Sequence, residues 1–298
     1  MDLELRKIQL CQLDLALEVK RICEKNNINY FLIGGTLLGA IRHGGFIPWD
    51  DDLDIGMIRS DYEKFIEICK TQLDEKFFLQ TAETDKEFGF GFAKIKIKGT
   101  KFVEEITKNN SSHKGIFIDI FPFDNMPEDY VKQKKQAKNL RIIKFLLLSK
   151  CNYSSWDKNN KTKNIIMKAL NYLLKPINKG LLVSKIEKIE KKYNKYKTKN
   201  IINLEGSYNY KEFMPSNCVI KPNFTKFEGY EFKIPDRPEV YLENLYNDFM
   251  KLPPIEKRGN RHGIVCIDFG LYKIRNRNKE DIKNLSFEPS CIGEKINE

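Results

Sequence analysis

The stretch Ile33–Ile55, IGGTLLGAIRHGGFIPWDDDLDI, sets the reading of the whole chain, because it couples a glycine pair to Asp50, Asp51, Asp52 and Asp54 within one short unit. In an extended strand Asp50, Asp52 and Asp54 point one way, while Asp51, Leu53, Ile55 and Met57 point the other, so Leu53, Ile55 and Met57 are expected to face the core. Carboxylates two residues apart lie about 7 Å apart at Cα and can converge on one point, which is unfavourable unless a positive group sits between them. Hard oxygen ligands of this kind favour magnesium or manganese. Upstream, Gly34 and Gly35 close an expected strand in INYFLIGG and let the backbone approach a ligand; Thr36 adds a hydroxyl, and the helix that follows aims its N-terminus at an anion. Arg42 falls about two turns along that helix. A Gly-Gly turn and a solvated aspartate loop are each commonplace. Their pairing in one unit is what points to phosphate and metal chemistry.

The rest of the 298-residue chain is 41% hydrophobic, enough for a sizeable core. The N-terminal stretch alternates charged and apolar residues at helical spacing, without the apolar h-region of a signal peptide, and no apolar run is long enough to span a bilayer. Seven cysteines, at positions 11, 23, 69, 151, 218, 266 and 291, are scattered with no CxxC pair. They suit reduced thiols and a cytoplasmic location, and offer neither a zinc site nor a disulfide framework.

The net charge of +11 is local: residues 131–200 hold 20 Lys+Arg against 3 Asp+Glu, a balance of +17, and the remainder carries 32 against 38, or −6. Ile166, Leu170, Leu173 and Ile177 recur at helical spacing among those lysines, so 131–200 is read as a basic helical insertion. It divides an α/β (α+β) core into 1–130 and 201–298. In that core a first helix, about Leu3 to Lys25, carries the stripe Ile8, Cys11, Leu15, Val19 and Ile22. Strands are expected at INYFLIGG, DLDIGMI, FFLQTA, FGFAKIKIK, GIFIDIF, EGYEFKIP and GIVCIDF. Helices are expected at SDYEKFIEICKTQL, with Ser60 as N-cap and Glu63 in the capping-box position, and at RPEVYLENLYNDFM.

One residue in GIFIDIF stands out. Phe117, Asp119 and Phe121 share a face, so a single acid interrupts an aromatic row, and a buried unpaired carboxylate is costly. A metal or proton-transfer role is the favoured reading of Asp119, and a salt bridge to a lysine is the alternative.

FLIGGTLLGAIRHGGFIPWDDDLDIGMIRSDYEKF resembles the signature of the LicD family, phosphocholine transferases related to fukutin and the fukutin-related protein within the nucleotidyltransferase superfamily. KGIFIDIFPFD is similar to the family's second block, and FEGYEFKIPDRPEVYLENLYNDFMKLPP resembles it more weakly. The resemblance implies a nucleotidyltransferase-like mixed sheet flanked by helices, with Asp52, Asp54 and Asp119 as catalytic metal ligands for Mg2+ or Mn2+. It also implies transfer of phosphocholine, or a similar phospho-alkylamine, from a CDP-choline-like donor to a hydroxyl of a cell-surface glycan or its lipid-linked precursor, releasing CMP. Gly34, Gly35, Thr36, Arg42 and His43 are the candidates for phosphate contact. Trp49 is a candidate to box a quaternary ammonium, with turn packing as its alternative. Lys94, with Lys96, is a candidate to neutralise phosphate unless the pair marks a solvated edge strand. Arg261 and His262, in a glycine-bounded turn, are candidates to reach the site. Two rival readings stay open: nucleotidyl transfer releasing pyrophosphate from an NTP, and a basic nucleic-acid or membrane-surface binding protein with a vestigial site. Nucleic acid is the less expected partner; peripheral contact with an anionic membrane, at its inner face, is the more expected one.

Overall fold

The computed structural model describes residues 3–157, 160–259 and 263–274. The chain opens with α1 (Leu3–Lys25), whose expected stripe is buried at every position. Gln9, Gln12, Asp14 and Glu18 are buried as well, so α1 is enclosed on more than one face. The glycine unit follows as β1 (Phe31–Leu32), α2 (Gly34–His43) and β2 (Asp54–Ile58). Helix α2 begins on Gly34 itself and ends at Gly44, whose left-handed φ of 68° makes it the C-cap.

β2 leads directly into α3 (Arg59–Gln72), then β3 (Phe77–Gln80), β4 (Ala93–Ile97), β5 (Lys101–Glu104) and the nine-residue β6 (Phe117–Asn125). Three helices come next, α4 (Tyr130–Lys150), α5 (Lys161–Leu173) and α6 (Lys179–Glu190). The chain then returns through β7 (Asn200–Asn203), β8 (Phe213–Pro215), β9 (Asn223–Phe227), β10 (Tyr230–Ile234), α7 (Pro238–Tyr246) and β11 (Ile264–Asp268).

β6 organises the main seven-stranded sheet. Its first half pairs with β4 and its second half with β7, while β2 lies along the other edge; the strand order β1-β2-β6-β4-β3 is completed by β7 and β8. Only β2 and β6 run parallel, with Asp54 opposite Asp119 and Ile55 opposite Ile120. Leu53, Ile55 and Met57 face the core as expected. The α/β reading of the chain holds, as a mixed sheet covered by helices.

Helices α4 to α6 form a second apolar layer. Leu140, Leu147, Leu148, Met167, Leu182 and Ile186 pack together with Ile202 and Leu204 of the sheet side. Each helix start is set by an Asx side chain: Asp129 accepts from the Lys132 amide, Asn160 from Lys163 and Asn178 from Gly180.

Four local expectations need correction. The aspartate run is not strand before Asp54, so the strand is shorter than expected, although burial still alternates along the run, with Asp51 and Leu53 buried and Asp50 and Asp52 half-buried. Ser60 does not cap α3: the helix starts at Arg59, whose side chain is drawn inward to Asp124 and Glu190. Lys94 and Lys96 do not mark a solvated edge, because β4 is paired on both sides and the two lysines are 7% and 5% exposed. Ile166, Leu173 and Ile177 lie on helical spacing but point outward, at 47%, 67% and 40% exposure.

Candidate active site

The site forms where α2, the loop before β2 and the middle of β6 meet. Register opposition of Asp54 and Asp119 on parallel neighbours carries both carboxyls to the same face of the sheet. The glycines bring the backbone close to the acids: a Cβ on Gly34 would stand 3.0 Å from Asp54 Oδ2 and one on Gly35 2.6 Å from Asp50 Oδ2, so a side chain at either would press on a carboxylate. Gly34 also holds φ +55°, a conformation that costs an L side chain about 1–2 kcal/mol.

Thr36 is 3% exposed, and its hydroxyl accepts the Asp54 backbone amide at 2.8 Å. It therefore ties the start of α2 to the start of β2, a positioning contact. Thr36→Val is expected to lower stability by about 1 kcal/mol in urea unfolding. Thr36→Ser keeps the acceptor and should restore most of it, and equal losses in both variants would discount the hydrogen bond.

The loop carrying Asp50 and Asp51 is gripped from α1. Gln9 Nε2 donates to Ile47 O at 3.3 Å and Asp50 O at 3.0 Å, and Gln12 Nε2 donates to Asp51 O at 2.7 Å. On the opposite side, Gly34 N donates to Tyr241 Oη at 3.2 Å, and Tyr241 Oη donates to Glu212 Oε1 at 3.1 Å, which also accepts from Asn203 Nδ2 at 2.7 Å. Sequence reading missed Gln9, Gln12, Glu212 and Tyr241. The signal available was a pair of glutamines three apart on an otherwise apolar helix stripe.

Burial raises Asp54 well above the usual carboxylate range, and the surrounding charges of Asp52, Asp119, Glu212 and Asp50 push the same way. Burial also raises Asp119, against the opposing pull of Lys94. The Lys94 ammonium stands 2.8 Å from Asp119 Oδ1 and 3.2 Å from Oδ2, with hydrogen-bond alignment only at Oδ2. It also lies 3.4 Å from the centroid of the Phe117 ring. Glu212 is pushed up to about 7 and Lys96 down to about 7, both chiefly by burial.

Among the described residues no three His, Cys, Asp or Glu side chains already close around a metal point. The ammonium of Lys94 fills one side of Asp119 instead. The donor set nevertheless fits a hard divalent ion: oxygen ligands only, and a mutual repulsion at Asp54 that a cation would relieve.

The remaining candidates are placed as follows. Arg42 Nη1 donates to Phe249 O at 2.7 Å, at the far end of α2 from Gly34, about 12 Å along the axis at helical rise. His43 is exposed and meets Trp49 edge-on at 6.1 Å. Trp49 is half-buried, and the Arg258 guanidinium already stacks over its ring at 5.2 Å. The structure thus brings Gly34, Gly35, Thr36, Asp54, Asp119 and Lys94 together and leaves Arg42 and His43 apart from them. Arg261 and His262 lie outside the described residues.

Comparison with known proteins supplies the class. Residues 27–146, which carry the glycine unit, the aspartates and Asp119, match the family description LicD/FKTN/FKRP, nucleotidyltransferase domain. Fold and match together define a transferase built on a nucleotidyltransferase domain. Over 270 residues, 87% of this chain and 96% of the relative, it is 32% identical to the lipopolysaccharide cholinephosphotransferase LicD of Haemophilus influenzae, and it belongs to the LicD family. It is also similar to the ribitol 5-phosphate transferase FKRP of Mus musculus, 34% identical over 113 residues that make up 37% of this chain and 20% of that protein.

Proposed function

We propose that this enzyme transfers phosphocholine, or a closely similar phospho-alkylamine, from a CDP-linked donor to a hydroxyl of a cell-surface glycan, free or lipid-linked, and releases CMP. The observation that carries the reading is the similarity to a cholinephosphotransferase along nearly the full length of both chains. The facing carboxyls of Asp54 and Asp119 beside the Gly34–Gly35 turn support it.

In this mechanism the start of α2 receives the donor's diphosphate, where the Gly35 and Thr36 amides have no carbonyl within the helix to pair with. A magnesium or manganese ion held by Asp52, Asp54 and Asp119 would neutralise the diphosphate and the charge that develops in the transition state. The acceptor hydroxyl attacks the phosphorus bearing choline, the bond from that phosphorus to the CMP oxygen breaks, and CMP leaves with the electron pair. Asp119, balanced by Lys94 while it is ionised, takes the acceptor's proton and becomes neutral, a form that burial favours. Gln9, Gln12 and Thr36 keep the acid-bearing backbone in place. We also propose that 131–200 is a unit inserted in a core made by 1–130 and 201–298. A cytoplasmic location suits the buried thiols of Cys11, Cys23, Cys69, Cys151 and Cys218.

The purified protein, offered CDP-choline, CDP-ethanolamine and the four NTPs in parallel with magnesium or manganese, is expected to give CMP from a CDP-alcohol and a glycan acceptor heavier by one phosphocholine. EDTA should stop it. Pyrophosphate from an NTP with the CDP-alcohols untouched would overturn the reading in favour of nucleotidyl transfer.

A further inference from the structure

We propose that the outward face of α5 is a docking surface that seats this protein on an anionic lipid bilayer. Of the 13 residues of α5 only Met167 is buried, with Leu170 half-buried beside it on the inward side. The opposite side is also apolar: Ile165, Ile166, Tyr172 and Leu173 are 67%, 47%, 70% and 67% exposed, and in the chain that follows Ile177 and Leu181 are exposed at 40% and 59%. At about 100° per residue Ile165, Ala169, Tyr172 and Leu173 share one arc, with Ile166 at its edge. Lys161 and Lys168 lie together along one edge of that arc, and Lys175 follows just past the helix end. A helix on the surface of a globular protein turns polar residues outward. This one is apolar on two sides, and lysines line its rim.

The orientation is held from within. Asn171 Nδ2 donates to Ser149 O at 3.0 Å and Lys150 O at 2.8 Å, Lys150 Nζ donates to Leu174 O at 2.8 Å, and Asn164 Oδ1 accepts from the Ser155 amide at 2.8 Å. Rolling the apolar arc inward would break all four bonds.

Charge complementarity names the occupant. Between Asp157 and Glu187 the chain has no Asp or Glu, so two copies meeting through this face would oppose lysines to lysines with no acid between them. A nucleic acid would use the lysines and leave the isoleucines and leucine in water. An anionic bilayer uses both: apolar side chains enter the headgroup boundary while lysines stay at its charged plane. No described helix is long and apolar enough to cross a membrane, so the contact is peripheral. The inference stands apart from which donor the enzyme uses.

Flotation of the full chain tests it, with vesicles of phosphatidylcholine alone and vesicles in which about a third is phosphatidylglycerol. Binding is expected only to the anionic vesicles and should fall with added salt. Ile166→Asp with Leu173→Asp, and separately Lys161→Glu with Lys168→Glu and Lys175→Glu, should each weaken partitioning by at least about ten-fold. Melting temperature and turnover of a water-soluble acceptor should stay unchanged in both sets. Equal recovery with neutral vesicles, or partitioning indifferent to both sets, overturns the proposal. So does self-association removed by the aspartate pair, which assigns the face to a second copy, or RNA binding removed only by the lysine set.

Discussion

Asp54→Asn is expected to slow turnover by at least about a thousand-fold and, in the absence of divalent metal, to raise the melting temperature. The two effects have one source. Asp54 lies among Asp50, Asp52, Asp119 and Glu212, and burial together with these charges raises its carboxyl in the folded protein. A folded-state value above the unfolded one means that stability is full below the ordinary aspartate range and is lost as pH rises through the folded value. At neutral pH the amide removes that penalty, which relief of about 1 kcal/mol would register as roughly 2–4 °C. The advantage should vanish in acid, where wild-type Asp54 is neutral too. Adding magnesium should reverse the order, because only the wild-type site gains a ligand. Differential scanning fluorimetry across pH, with EDTA and with magnesium, checks each part. Near-normal turnover, or a lower melting temperature in EDTA, would remove Asp54 from the metal-holding role.

Arg59→Met is expected to destabilise the fold by about 3–5 kcal/mol near neutral pH, the scale of stranding buried charges by deleting their partner. Arg59 Nε donates to Asp124 Oδ1 at 2.9 Å, and Nη2 reaches both Asp124 Oδ2 and, at 2.9 Å, Glu190 Oε2. Asp124 and Glu190 are 1% and 0% exposed. Glu205 adds its charge beside Glu190 and is itself held by Lys144 at 3.1 Å and by the Gly91 amide at 3.3 Å. Burial, reinforced by Glu205, raises Glu190. The cluster joins α3, β6, α4 and α6, and thereby the sheet to the helical layer. Without the guanidinium, Glu190 would be held still further above its unfolded value, so the loss should shrink as pH falls and that acid is neutralised. Urea unfolding near neutral pH and at about pH 5 measures this. A loss under about 1 kcal/mol, or one that does not change with pH, would show that the network contributes packing alone.

The sequence by itself determined what depends on near neighbours. The stripe on α1, the burial of Leu53, Ile55 and Met57, the glycine turn opening a helix and the aromatic row around Asp119 were all legible, because side-chain periodicity and backbone freedom are local properties; that Asp119 takes the ion pair offered as its alternative, with Lys94, was not. The register that brings Asp54 opposite Asp119 is not local: 65 positions separate them, and only the parallel pairing of β2 with β6 decides that they meet. Lys94 and Lys96 read equally well as a solvated edge until β4 gained partners on both sides and enclosed them. Thr36 looked like a phosphate contact, but its hydroxyl is used by the Asp54 amide, which lies 18 residues downstream. Ser60 looked like a cap, and the distant pull of Asp124 and Glu190 on Arg59 moved the helix start. On α5 the helical period was plain, yet apolar residues occupy both sides of the helix, so periodicity alone could not choose the inward one. Tertiary packing chose Met167, because the space against α4 admits one face of α5, and it left Ile165, Tyr172 and Leu173 facing outward.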